Sequence, residues 1–212
     1  MILYAAGSVQ DVSVDAEFLC GLTWFGELLW YADAGRERIV AVDPYVGEVL
    51  TVLECPQLRR GLATVGGNLV YAAGPDYRLR IIHPDGGGFV AEARNPRTGE
   101  KIAALEGGRQ GLWIGYRHVL ELRDTTDFEM LASVGVGSKV AGATVTDRYI
   151  VYSNRAAESI IVVDRATEQE ILQINLHGSP TGLTWDGSRI WYCDNAANRL
   201  RAIDVPGIVR SP

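Results

Sequence analysis

One element recurs along this chain at a spacing near 40 residues, and that recurrence limits the possible folds more than any other feature. Residues 21–33 read Gly-Leu-Thr-Trp-Phe-Gly-Glu-Leu-Leu-Trp-Tyr-Ala-Asp, and residues 182–194 read Gly-Leu-Thr-Trp-Asp-Gly-Ser-Arg-Ile-Trp-Tyr-Cys-Asp. Residues 61–73 are a third copy, Gly-Leu-Ala-Thr-Val-Gly-Gly-Asn-Leu-Val-Tyr-Ala-Ala. A fourth begins at Gly142 and reaches Val151-Tyr152-Ser153-Asn154. A degenerate fifth aligns Leu105 with Leu22 and Trp113 with Trp30, with Ala104 at the glycine position. The copies therefore start at 21, 61, 104, 142 and 182. A period near 40 residues is that of a four-stranded propeller blade. The expectation is an all-β chain, one five-bladed β-propeller domain over residues 1–212.

Within each copy the pattern alternates as half-buried strands do. The Gly-Leu-Thr-Trp segment is a first strand, followed by a glycine turn at Phe25-Gly26 or Asp186-Gly187. Leu28-Leu29-Trp30-Tyr31 is a second strand, Ile39-Val40-Ala41-Val42-Asp43 a third, and Val49-Leu50-Thr51-Val52-Leu53 an outer fourth. The fifth copy stops after its third strand. The segment around Val12-Ser13-Val14 is expected to supply the missing outer strand and so close the ring, leaving no free edge there. Residues 2–6 are strand-like too, with two places open to them: an additional strand or an interface element. Between Arg94 and Leu105, Pro96 and Gly99 break any helix, which predicts an extended connection between blades. The aromatic columns, Trp30, Trp113 and Trp191 and then Tyr31, Tyr71, Tyr152 and Tyr192, read as packing between blades.

Charge and cysteine content exclude several classes. The formal net charge is −6, which argues against nucleic-acid binding, since that relies on cations neutralising phosphates. No apolar run approaches the length of a membrane span, so no membrane partner is expected. Three scattered cysteines, Cys20, Cys55 and Cys193, suit reduced thiols better than a disulfide framework. The first residues lack the basic start and apolar core of a secretory signal. Cytoplasmic is the expected location.

Loops entering the first strand and leaving the second fall on one face around the axis, the default site of such a scaffold. Entry loops carry Glu17, Cys20, Arg60, Lys101, Lys139 and His177, and second-strand exits carry Asp33, Tyr116, Asn154 and Asp194. Asp33, Asn154 and Asp194 share one repeat position and offer oxygen ligands suited to a divalent cation, Ca²⁺ or Mg²⁺. The bland alternative is that they cap the exit turns. Cys20 and His177 enter neighbouring blades and could form a nucleophile pair; a thiol in an inner strand is more often inert packing. Glu17 beside His177 is a candidate general base. Arg60, Lys101, Tyr116 and Lys139 are candidate substrate-binding groups, the cations for an anionic moiety.

The Gly-Leu-Thr-Trp-Asp-Gly-x-x-Ile-Trp-Tyr-x-Asp element resembles the repeats of a propeller superfamily. That superfamily includes the glutamine cyclotransferases, gluconolactonase-like enzymes, streptogramin-type lyases and NHL-repeat proteins. Five blades and the Gly-Leu-Thr start are most similar to the glutamine cyclotransferases, which cyclise N-terminal glutamine. The resemblance implies a Gln before a Gly-Leu pair and a Glu after the second-strand aromatic. Here those places hold Cys20, Arg60, Ala103, Ala141 and Thr181, and Ala32, Ala72, Gly115, Ser153 and Cys193. The acidic second-strand exit that the resemblance implies for the lyases is met by Asp33 and Asp194.

Two functions follow. One is an enzyme of lyase, cyclase or hydrolase type acting on a small polar or anionic molecule at the axial mouth. The other is a non-catalytic propeller that binds a ligand, peptide or protein on its loop face.

Overall fold

The computed structural model describes residues 2–5 and 7–205. Two short strands precede the first repeat, β1 (Ile2–Ala5) and β2 (Gln10–Ser13). Blade one is β3 (Leu19–Phe25), β4 (Leu28–Asp33), β5 (Arg38–Val42) and β6 (Val49–Glu54). Blade two is β7 (Leu58–Val65), β8 (Asn68–Ala73), β9 (Arg78–Ile82) and β10 (Phe89–Ala93). Blade three is β11 (Ala104–Gly108), β12 (Gly111–Gly115), β13 (Val119–Arg123) and β14 (Met130–Gly135). Blade four is β15 (Gly142–Val145), β16 (Tyr149–Asn154), β17 (Ser159–Asp164) and β18 (Gln169–Asn175). Blade five is β19 (Pro180–Trp185), β20 (Ile190–Asp194) and β21 (Arg199–Ile203), completed by β2.

Each blade is an antiparallel meander running outward from the axis. The expected closure is present: Gln10 pairs with Ala202 and Val12 with Leu200. Of the two places open to residues 2–6, the additional strand is the one found. β1 lies parallel to β18, with Ile2 opposite Leu172; Ala6 lies outside the described residues. The segment between β10 and β11 contains no helix; it is irregular, with a turn in which the Glu100 amide donates to the Arg97 carbonyl.

The blades pack through their alternating faces. Trp30, Trp113 and Trp191 are buried, as are Tyr31, Tyr71, Tyr152 and Tyr192. Two of the indole N–H groups find acceptors, Trp191 donating to Asp186 Oδ2 at 2.7 Å and Trp30 to the Phe25 carbonyl at 3.2 Å. Truncating one such ring to alanine costs about 3–5 kcal/mol in a typical core.

Where the first strands meet at the axis, backbone touches backbone. A β-carbon on Gly182 would fall 2.6 Å from the Gly21 carbonyl carbon, and one on Gly21 2.6 Å from that of Gly61. The space these strands enclose is too narrow for water. The axis is therefore closed at mid-height, and the two mouths are separate chemical environments.

Candidate functional site

At the loop-side mouth the carboxylates are already engaged. Asp33 is fully buried. Its Oδ1 accepts from the Phe18 amide at 2.9 Å and the Gly35 amide at 3.2 Å, and Arg38 lies 3.5 Å from Oδ2. Asp194 repeats the arrangement, accepting from the Ser179 and Ala196 amides with Arg201 at 3.4 Å. Asn154 accepts from the Ala156 and Ala157 amides. All three side chains hold the exit turns of their own blades, the capping role of Asp and Asn. Among the described residues no three His, Cys, Asp or Glu side chains gather to hold a metal ion.

The expected nucleophile pair is redirected as well. Cys20 is fully buried, its Sγ 3.5 Å from the Ala32 carbonyl, and burial pushes its thiol up to about 12. A thiol in that state supplies almost no thiolate at neutral pH. His177 is exposed, and its carbonyl accepts from Arg201. Glu17 is exposed and paired with Arg36 at 3.4 Å. Tyr116 is a wall residue and no part of the rim. It is buried and donates to Asn95 Oδ1 at 3.0 Å, with Arg97 over its ring. Arg60, half-buried, lies with its guanidinium carbon 5.1 Å from the centre of the Phe18 ring. Lys101 and Lys139 are exposed.

The opposite mouth, where first strands turn into second strands, opens into a bowl of about 1360 Å³. Its floor is built from the third and fourth residues of the inner-strand repeat. Thr23 and Thr64 approach through their hydroxyls at 3.2 Å, and Thr184 Oγ accepts from the Trp24 amide at 2.9 Å. At the place held by Thr23, Thr144 and Thr184 in three other blades, blade three carries Glu106. The residue is 7% exposed and lines the bowl, and Oε1 accepts from Thr144 Oγ at 2.6 Å. Burial pushes the acid up to about 8; the hydrogen bonds from Thr144 and from the Val145 amide hold it below where burial alone would put it.

Local sequence explains why a glutamate can sit there. β11 runs on from Glu106 directly to Gly107, where a β-carbon would overlap the carbonyl oxygen of Thr64. Glycine lets blade two's backbone close over blade three, and that approach removes Glu106 from bulk water. The bowl's walls are Trp24 and Trp185 from adjoining blades, with Tyr149 and Trp113. Arg165 straps the rim. It donates to the Thr146 and Asp147 carbonyls at 3.1 and 3.0 Å and to Gln110 Oε1 at 3.3 Å, with its guanidinium over Trp113. Arg109 and Asp147 are exposed at the edge.

A concave, aromatic-walled cavity with one buried acid of raised pKa is the usual signature of a functional site. The residue that makes this one, Glu106, is not among the sequence candidates. The signal that could have found it is the single acidic residue in a column otherwise filled by Thr23, Ala63, Thr144 and Thr184.

No protein-family model matches the chain, and no curated protein sequence does. Among solved structures the fold is similar to that of the glutaminyl cyclase of Myxococcus xanthus, with a TM-score of 0.80 and 13% sequence identity. That likeness covers 95% of this chain and 97% of the other. At that identity it establishes the five-bladed propeller and nothing about chemistry.

Proposed function

We propose that this protein is an enzyme that transfers protons on a small polar molecule held in the turn-side bowl, with Glu106 as its acid–base group. The observation that carries this reading is the state of Glu106, a buried carboxyl with a pKa of about 8 at the floor of the bowl. A carboxylic acid of that pKa is mostly protonated at neutral pH and ionised in a working fraction of molecules. One side chain can then take a proton from an attacking group and return it to a leaving group. The hydroxyls of Thr23, Thr64 and Thr184 supply hydrogen bonds that orient a polar substrate, and Trp24 and Trp185 supply flat apolar walls.

The fold's likeness to a glutaminyl cyclase makes cyclisation of an N-terminal glutaminyl residue the first reaction to try. In that reaction the α-amine attacks the side-chain amide carbonyl and a new C–N bond closes the ring. The bond to the amide nitrogen breaks, and ammonia leaves with a proton. Glu106 would accept the amine's proton and deliver that of the ammonia. It stands within a first strand, whereas the family resemblance places its glutamate after a second-strand aromatic, so a related intramolecular acyl transfer fits as well.

The test is ammonia release from glutaminyl peptides and simple amides by the purified protein and by Glu106→Gln. The expected result is turnover by the wild type, reduced about 10²-fold or more in the variant, the usual worth of a positioned acid–base group. Equal turnover by the variant would remove Glu106 from the chemistry.

The second reading, a binding propeller without chemistry, is favoured by one observation at the other mouth: cations there that no carboxylate among the described residues balances.

A further inference from the structure

We infer that the loop-side mouth is a separate binding site for a small molecule bearing carboxylate or phosphate groups, held between Arg60 and Arg155. Arg60 belongs to blade two and Arg155 to the second-strand exit of blade four. Both guanidiniums lie over the same aromatic ring, that of Phe18 on blade one, at 5.1 and 5.7 Å from its centre. A cation over a ring face gains from the ring's quadrupole, but two cations over one ring also repel.

Among the described residues neither Arg60 nor Arg155 has an acidic side chain within 4.0 Å, and the same holds for Lys101, Arg117 and Lys139 on neighbouring loops of this face. The acids that could have served are committed elsewhere: Asp33 to Arg38, Asp194 to Arg201 and Glu17 to Arg36. Thus, in a chain of net charge −6, five cations on the loops of this face have no acidic partner among the described residues.

The pair is also aimed. Arg155 Nε donates to Ser179 Oγ at 2.7 Å, which fixes the side chain, and its two terminal nitrogens have no hydrogen-bond partner among the described residues. Planar guanidinium forks match the oxygens of carboxylates and phosphates in two-point contacts. Phe18, the ring that both arginines share, supplies apolar surface beside the ligand's carbon skeleton. The closed axis means that such a ligand cannot reach Glu106, so this site is independent of the reaction proposed for the bowl.

Isothermal titration at low ionic strength tests the inference, with citrate as the carboxylate probe, inorganic phosphate as the phosphate probe, and sodium chloride at matched ionic strength as control. Saturable binding of either probe beyond the chloride control is expected, and the stronger of the two identifies the headgroup. Arg60→Gln and Arg155→Gln should each weaken it about 10-fold or more, with Arg60→Lys intermediate because the charge remains and the fork is lost. Unchanged far-ultraviolet spectra and unliganded melting midpoints establish that these variants fold. Glu106→Gln should bind the probes as the wild type does, which separates failure here from failure of the bowl reading. Binding no stronger than the chloride control, or equal binding by both arginine variants, overturns the inference.

Discussion

Thr144 Oγ donates a 2.6 Å hydrogen bond to Glu106 Oε1 across the seam between blades three and four. The acid and the group that tempers it come from different repeats, so the acidity of Glu106 depends on how two blades pack.

Glu106 should leave a signature in stability against pH. Its folded pKa, about 8, is raised from an ordinary 4.5. Below about 4.5 both states carry the proton and the group imposes no penalty. As the pH rises from there, the unfolded chain ionises while the folded chain does not, so stability falls, and the loss is complete above the folded pKa. Each tenfold difference in acidity between the folded and unfolded states corresponds to about 1.4 kcal/mol. Glu106→Gln should therefore flatten urea-unfolding stability between about pH 5 and 8 and exceed wild type at pH 8 by about 2 kcal/mol or more. Parallel curves for the two proteins would contradict a buried, raised acid.

Thr144→Val keeps the volume and removes the donor. The Glu106 pKa should rise further, because the lost hydrogen bond favoured the ionised form. Carbon-13 NMR titration of the glutamate carboxyls reads this directly, and an unmoved titration would show that Thr144 does not govern the acid.

Gly107→Ala should destabilise the fold, since its β-carbon has no space beside the Thr64 carbonyl oxygen. Overpacking of this kind costs about 1–3 kcal/mol. A denaturation midpoint equal to wild type would mean that blades two and three can part without cost.

Asp33→Ala should cost about 2–4 kcal/mol, because it strips acceptors from the amides of Phe18 and Gly35 and leaves Arg38 with Asp15 as its one remaining acidic partner among the described residues. The loss should be the same with chelator or with added Ca²⁺. A loss that appears only with the ion present would return Asp33 to the role of metal ligand.

All three cysteines are buried and free, and burial pushes Cys20 up to about 12 and Cys55 up to about 11. The native protein should resist iodoacetamide at pH 8 and take up label at every cysteine once unfolded. Fast native labelling of Cys20 would restore it as a nucleophile candidate.

The propeller was legible because every blade must satisfy the same neighbour, so Gly21 and Gly182, or Trp30 and Trp191, recur at fixed spacing. The site was less so, for two physical reasons. Sequence shows that Asp33 and Asp194 reach the loop-side mouth; it does not show that Arg38 and Arg201, entering from third strands, bind them first. Polar residues also crowd the long loops and mask the short turns that frame the bowl. Glu106 breaks a threonine column, yet it sits in the copy where Ala104 replaces glycine, and there the column is hardest to align. Repeat position puts Arg60 at its mouth, whereas Arg155 across the Phe18 ring emerges only in three dimensions.

The pairing of Gln10 with Ala202 also governs how this chain reaches its native state. Strand β2 is made early and must wait for β21, nearly the whole sequence later, before its backbone groups find partners. Contacts of such high sequence separation make folding slow. Until they form, the molecule is an open arc with one unpaired sheet edge at each end. Those edges are complementary to one another, so at high concentration strand β2 of one molecule can complete the last blade of another.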